Sequence, residues 1–330
     1  MEQSKKHTTI FVIGSLLLLI GGLILAIRLG SVHINFSDIW NSIFNYSETL
    51  ELMLIRDVRI PRALSVLLTG GILGVTGAMI QGVTRNPIAE PSILGVSQGA
   101  TLVIAIFYAT GVAINTQNVM IASFIGALVT GIIVLGFISK KANNNSIAKI
   151  LLAGTAMSTF FISLTTVIGL LSNQSQMIGF WVSGGFRNAS WSDFKLVFIV
   201  GIIGLIIAIL LSPKINILNL GDDVAIGLGE NPEKIRFLTL MVMIPMCAAA
   251  VAVGKNIAFV GLIVPQIAKG IVGSDYKYII PSSLVLGAVL LVYTDILSRM
   301  INPPYETPVG SITALIGVPI FIYLVRKGEK

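Results

Sequence analysis

Charge is what this sequence has least of. Asp, Glu, Lys and Arg make up 11% of its 330 residues, against about a quarter in a soluble domain whose surface must be wetted. That scarcity excludes an ordinary water-soluble globule of this length. Cysteine is nearly absent: Cys247 stands alone in an apolar run, which excludes a disulfide framework and a cysteine-built metal site. The two histidines, His7 and His33, lie near the N-terminus, and no His-Glu-x-x-His element occurs, so a zinc protease or a haem-ligating redox span lacks its ligands. No Gly-x-Ser-x-Gly elbow sits in a strand–turn–helix setting, and no Gly-x-x-x-x-Gly-Lys-Ser/Thr loop is present to hold a nucleotide. The chain thus reads as a non-enzyme, without catalytic, metal or cofactor-binding residues of its own.

What it has instead is apolar length. Hydrophobic residues reach 55% and the mean hydropathy is +0.91. A helix needs roughly 20 mostly apolar residues to cross a bilayer. Segments 9–29, 63–82, 92–111, 119–139, 147–171, 194–212, 236–253, 257–273, 279–298 and 309–326 meet that test. The expectation is an all-α integral membrane protein of about ten spans in one domain, 1–330. Gly254-Lys255-Asn256 separates one pair of spans, as either a tight external turn or a kink. The first run follows Lys5 and Lys6, but it is long for a signal peptide and no small-residue cleavage site follows it, so it reads as a retained span. Gly70, Gly71, Gly74 and Gly77 put small residues on one helix face, as close helix packing in a membrane requires.

Basic residues set the orientation. With the N-terminus inside, the cytoplasmic gaps hold Lys5, Lys6, Arg85, Lys140, Lys141, Lys149, Lys214, Lys234, Arg236, Lys269, Lys277, Arg326, Lys327 and Lys330. The external gaps hold fewer: Arg28, Arg56, Arg59, Arg62, Arg187, Lys195, Lys255 and Arg299. Both termini are therefore expected in the cytoplasm. The net charge of +7, spread over short gaps, suits anionic lipid better than nucleic acid. Within the first external gap, 31–61, the stretch 36–44 predicts a short interfacial helix; the long polar gap inside is 212–235.

Between the second and third spans the chain reads Gly77-Ala-Met-Ile-Gln81-Gly-Val-Thr-Arg-Asn86-Pro87-Ile88-Ala89-Glu90-Pro91-Ser-Ile-Leu94-Gly95-Val-Ser97-Gln98-Gly99-Ala100. Pro87 and Pro91 end one helix and start the next, Asn86 satisfies free backbone groups, and Glu90 favours the following helix's N-terminus. Gly95 and Gly99 permit close contact. By spacing alone this is a helical hairpin turn.

The residues themselves resemble the signature of FecCD-type permeases, which import iron-siderophores, haem and vitamin B12 with an ATP-binding partner. The resemblance continues through Arg56-x-x-Arg59-Ile-Pro61-Arg62, Leu151-Leu-Ala-Gly154 and Trp181-Val-Ser-Gly184-Gly-Phe. It resumes at Gly254-x-x-Ile257-x-Phe259-Val-Gly261-Leu-Ile-Val-Pro265, Asp295-Ile-Leu-Ser-Arg299, Glu306-Thr-Pro308-Val-Gly310 and Gly317-Val-Pro319-Ile-Phe321, covering nearly the whole chain. One departure is visible: Gln266 and Lys269 stand where the family commonly has His-x-x-Arg.

The resemblance implies a type II ABC importer permease in the bacterial cytoplasmic membrane, translocating a ferric siderophore by alternating access. Haem and cobalamin are the alternative cargoes, and an ion-coupled secondary transporter is the remote one. It implies cytoplasmic ATPase subunits that hold ATP and magnesium, an extracytoplasmic substrate-binding protein, and a second permease, identical or homologous. Segment 218–236, with Leu220, Gly221, Ala225, Leu228 and Gly229, resembles the coupling element that docks on the ATPase, and reads as a short amphipathic helix with charges on its outer face. Arg56, Arg59 and Arg299 match binding-protein contacts; Arg299 has a structural alternative in pairing with Asp295 one turn earlier. Asn86 and Ile88, with Ile147 and Ala148 in a second loop, match the cytoplasmic gate. Gln81, Ser97, Gln98, Thr155, Ser158, Thr159, Ser163, Thr165 and Thr166 are polar groups within spans, where bonding to a neighbouring carbonyl competes with lining a route.

Overall fold

The computed structural model describes residues 2–30, 34–111, 115–138 and 146–328, and among them no strand occurs. Lys140, Lys141, Lys330 and His33 lie outside the described residues. Each segment expected to span falls on a helix. These are α1 (Glu2–Arg28), α4 (Ile60–Thr84), α5 (Val96–Thr110), α6 (Thr116–Ile138), α7 (Ser146–Leu171), α9 (Trp191–Asn219), α11 (Pro232–Gly254), α12 (Val260–Val272), α13 (Tyr276–Met300) and α14 (Val309–Gly328). Shorter helices join them: α2 (Phe36–Phe44), α3 (Leu50–Met53), α8 (Ser175–Val182) and α10 (Asp222–Gly227). By length and composition, six helical stretches among the described residues are long and apolar enough to cross a membrane: Leu50–Thr84, Thr116–Gly136, Leu151–Leu171, Trp191–Asn219, Pro232–Gly254 and Tyr276–Met300.

The core is built around α4, which packs against α13, α9, α11 and α12. Its glycines make that possible. A methyl added at Gly74 would sit 2.2 Å from the Ser283 carbonyl oxygen of α13, and one at Gly77 2.0 Å from that of Gly261 in α12. Backbone meets backbone, the arrangement small residues allow where apolar solvent supplies no hydrophobic drive. Pro61 has no N–H to donate to the preceding turn, and a wider π-helical turn, Leu54–Arg59, precedes it.

The helices differ sharply in exposure. Most of α4 and α11 is buried, whereas α7 and α9 turn most of their apolar surface outward. The interfacial helix expected at 36–44 is α2, started by Asn35 N–H donating to Asp38 Oδ2 at 3.1 Å. Phe36, Trp40, Ile43 and Phe44 stand exposed on it, the side-chain set of a helix lying in a membrane interface.

Residues 255–259 form neither a tight turn nor a helix kink. They cross non-helically between α11 and α12, with Lys255 and Phe259 at positive φ (63° and 70°). Gly185 N–H donates to Gly254 O at 3.1 Å, and the Phe259 N–H donates to the Glu90 carboxylate at 2.8 Å. This irregular backbone persists because protein groups satisfy it. Thirteen residues of α12 reach about 20 Å, short of a hydrocarbon core of about 30 Å.

Candidate functional site

Helix α4 runs between two ends of the bundle: α2 packs beside the turn that precedes it, and α10 lies beside Arg85 at its end. At the α2 end, the start of α4 and the end of α13 bring opposite charges together away from water. Arg62 donates from Nη2 to Asp295 Oδ1 at 2.8 Å and from Nη1 to Glu306 Oε1 at 2.7 Å. Arg299 Nη2 lies 3.1 Å from Asp295 Oδ2, forming the one-turn pair the spacing allows, and its Nη1 donates to the Ala26 and Leu29 carbonyls at 3.0 and 2.9 Å. Arg59 donates to the Ile27 and Arg28 carbonyls at 2.8 Å each. Those carbonyls end α1 and have no further turn to accept from, so cations complete them. Burial alone would raise the Glu306 carboxyl, but the hydrogen bonds and charge of Arg62 outweigh it and hold the group below its ordinary value.

The three arginines assigned by resemblance to docking therefore differ. Arg56 is exposed, with its guanidinium 4.5 Å from the centre of the Tyr46 ring. The Arg59 and Arg299 side chains are mostly shielded and bond the end of α1. Glu306 and Asp295 tie Arg62 into the same cluster, a role the spacing did not reveal because the partners are over 200 positions apart.

The motif at the α10 end of α4 is held by Gln81. Its Nε2 lies 3.3 Å from the Ala89 and Gly261 carbonyl oxygens and 3.0 Å from that of Leu262, and its Oε1 accepts from Gln266 Nε2 at 2.6 Å. Gln266 also donates to Pro87 O at 3.2 Å, so the departure at that position serves the turn. Pro91 begins a 3₁₀ turn, Pro91–Leu94, and Gly95 (φ 73°) separates it from α5. Glu90, expected to serve only the helix that follows it in sequence, also caps α12 through Phe259. Gly99 lies against Thr130 and Gly126 of α6. Asn86 Oδ1 accepts from Ile88 N–H at 3.1 Å, and Ile88 stands exposed at the tip. Ile147 and Ala148 fall in the first turn of α7, and their side chains lie outside those described.

Helix α10 departs in part from the expected amphipathicity, since apolar side chains join the charge on its outer face. Ala225 faces inward and is fully buried, while Leu220, Val224, Ile226 and Leu228 are exposed. These apolar side chains stand outward beside the exposed Asp223, while Asp222 turns to Arg236 and Arg85. The reason is the hydrogen-bonding demand of Arg236, a buried cation that a carboxylate satisfies. Gly221 (φ 129°) and Gly229 (φ 80°) flank the helix where other residues would be strained.

A cavity of about 510 Å³ opens between α5, α7 and α8, with Asn256 on its wall. Ser97, Gln98, Thr165 and Thr166 line it, joined by Thr101 and Ser175. The hydroxyls of Thr155, Thr159, Ser163 and Thr166 bond the carbonyl four residues earlier, as hydroxyls in membrane helices commonly do. Gln98 Oε1 and Thr165 Oγ1 are buried without a hydrogen-bond partner.

Comparisons with known proteins agree over the length of the chain. It is 40% identical over 322 residues to "Iron(3+)-hydroxamate import system permease protein FhuB" of Bacillus subtilis (strain 168), covering 97% of this chain and 84% of that protein. It is 36% identical over 328 residues to "Fe(3+)-citrate import system permease protein YfmD" of the same organism, covering 99% and 97%. Identity is 33% over 339 residues to "Probable heme-iron transport system permease protein IsdF" of Staphylococcus aureus (strain Newman), covering 100% and 99%. A solved structure described as an inward-facing metal-chelate type ABC transporter superposes with a TM-score of 0.85 at 26% identity, covering 97% of this chain and 99% of that one. PsaBC from Streptococcus pneumoniae shares the fold at a TM-score of 0.56 and 18% identity, covering 87% and 95%. The model of the FecCD transport family matches residues 17–327, and the chain belongs to that family.

Proposed function

We propose that this chain is the membrane-spanning permease subunit of an ATP-driven importer for ferric siderophores, with about ten spans and both termini cytoplasmic. The observation that carries the reading is α10. A bundle of apolar helices presents, at one end, a short helix with Val224 and Ile226 exposed on it and Leu220 and Leu228 exposed beside it. Apolar side chains at a polar end of a membrane protein are the mark of a protein partner, and a chain without a phosphate loop needs one to use ATP. Cytoplasmic ATPase subunits, holding ATP and magnesium, would seat α10 and rearrange on nucleotide binding.

At the opposite end Arg56 offers an exposed cation to acidic side chains of a substrate-binding protein. Arg59 and Arg299 support the same surface from beneath by fixing the end of α1. A second permease, identical or homologous, would cover the outward faces of α7. The hydroxyl- and amide-lined cavity beside α7 belongs on the cargo route, with Gln98 and Thr165 as groups that meet polar cargo. Asn86 and Ile88, with Ile147 and Ala148, would close the cytoplasmic side.

Ferric siderophore is favoured by the hydroxamate and citrate relatives; haem, favoured by the haem-iron relative, is the second reading. Ion coupling is disfavoured because Asp295, the main carboxylate within a span, is held by two arginines. The test is uptake of a radioiron-labelled ferric trihydroxamate by cells lacking this chain and complemented with it. Restored uptake that persists when the ion gradient is collapsed and requires the ATPase supports the proposal. Uptake that follows the ion gradient instead contradicts it, and restoration with haem alone moves the cargo to the second reading.

A further inference from the structure

Asp222 is the meeting point of two arginines from separate parts of the chain. Arg236, in the first turn of α11, donates from Nη2 to both Asp222 oxygens at 2.7 and 2.9 Å, and its side chain is 4% exposed. Its Nε reaches the Val83 carbonyl at 3.3 Å, in the last turn of α4. Arg85, which ends α4 in a left-handed conformation (φ 52°), donates from Nη2 to Asp222 Oδ1 at 3.0 Å.

The two contacts differ in kind. The Arg236 contact grips both carboxylate oxygens, and its cation is shielded from water, so it keeps α10 with α11. The Arg85 contact is single, and both partners are more than a third exposed. Solvent screens it, and it opens at a small free-energy difference. Arg85 is also the residue immediately before Asn86. A strong contact on one side of the carboxylate and a breakable one on the other is the arrangement of a linkage that transmits displacement and then releases.

We propose that the Asp222 carboxylate links α10 to the Asn86–Ile88 loop through Arg85, so that movement of α10 repositions that loop, resting on the reading that α10 seats on the ATPase and that the loop closes the cargo route. Arg85 is then a positioning residue for transport.

The test uses the complete transporter in proteoliposomes, with Arg85→Gln and Arg85→Lys compared with the unchanged chain. ATP hydrolysis and uptake of a ferric trihydroxamate are measured in the same vesicles, per assembled complex. Arg85→Gln is expected to keep ATP hydrolysis within about twofold while uptake per ATP falls about five- to tenfold, the low end of measured couplings between sites. Arg85→Lys retains the positive charge and is expected to recover most of the uptake. Unchanged uptake per ATP in Arg85→Gln overturns the proposal, as does a loss of both activities in proportion to lost complex. Failure of the underlying reading shows separately: an Ile226→Asp chain that still recruits its ATPase subunits would mean that α10 is not the docking helix, whatever Arg85 does.

Discussion

Replacing Arg62 by Met should destabilise this protein far more than removing an arginine from its surface. Arg62 is 7% exposed and Asp295 1%. Without the guanidinium, Asp295 keeps only Arg299, at 3.1 Å, while Glu306, at 28% exposed, turns to water. Removing one partner of a buried pair costs about 3–5 kcal/mol, because the other charge stays buried. The remaining Arg299 contact puts this case at the low end, about 3 kcal/mol. Adding Asp295→Leu then breaks the remaining pair and leaves Arg299, whose side chain is 9% exposed, without its carboxylate. The double variant should therefore be less stable than Arg62→Met alone. Lys214→Gln is the control: its pair with Glu230 is 45% and 28% exposed, and its loss should stay under about 1 kcal/mol. Unfolding free energies measured by steric trapping in bicelles compare the three directly. If Arg62→Met costs no more than Lys214→Gln, or if adding Asp295→Leu restores the stability, the cluster does not hold α4 to α13 as described.

Gly74→Val should prevent α4 from closing on α13, since its first side-chain carbon already meets the Ser283 carbonyl at 2.2 Å; membrane abundance of the variant equal to the unchanged protein would contradict that packing. Gln81→Leu removes hydrogen bonds from the Ala89, Gly261 and Leu262 carbonyls and from Gln266. At about 1–3 kcal/mol for each buried group left unsatisfied, a loss of at least about 2 kcal/mol is expected in the same bicelle assay. Glu306 has its carboxyl pKa held below 4.5, so it stabilises the fold above its unfolded value and loses that contribution as pH falls through the lower, folded one. Amide exchange in 301–308 should accordingly accelerate on acidification below pH 4.5, and Glu306→Gln should abolish that acid step; acceleration on raising the pH would have the wrong sign.

Apolar periodicity and length determine much of this protein on their own. Runs of about 20 apolar residues have to be helices in lipid, because only a helix satisfies its backbone within one segment, and each such run is mainly helical, with 92–111 and 257–273 broken near their starts. The glycines at 70, 74 and 77 announced a close helix contact because their spacing is local. The short helix α2 was legible for the same reason.

Partners remote in sequence were not legible. Nothing in the spacing near Arg62 points to Glu306, and nothing near Glu90 points to the Phe259 N–H; both contacts exist only once the helices have closed. Arg59 read as an exposed docking charge, and Arg299 as a docking charge or the partner of Asp295, yet the end of α1 lies beside both and its carbonyls accept their hydrogen bonds. The outward face of α10 was only partly legible: Asp223 does face outward, but the buried Arg236 takes Asp222 and apolar side chains stand outside beside Asp223. The sequence by itself determined a helical membrane protein and where its helices run, since hydropathy and turn chemistry act over a few residues. Only the tertiary structure decided which charges are spent inside and which faces remain open, because a charge's partner depends on which distant helix the packing brings within hydrogen-bond reach.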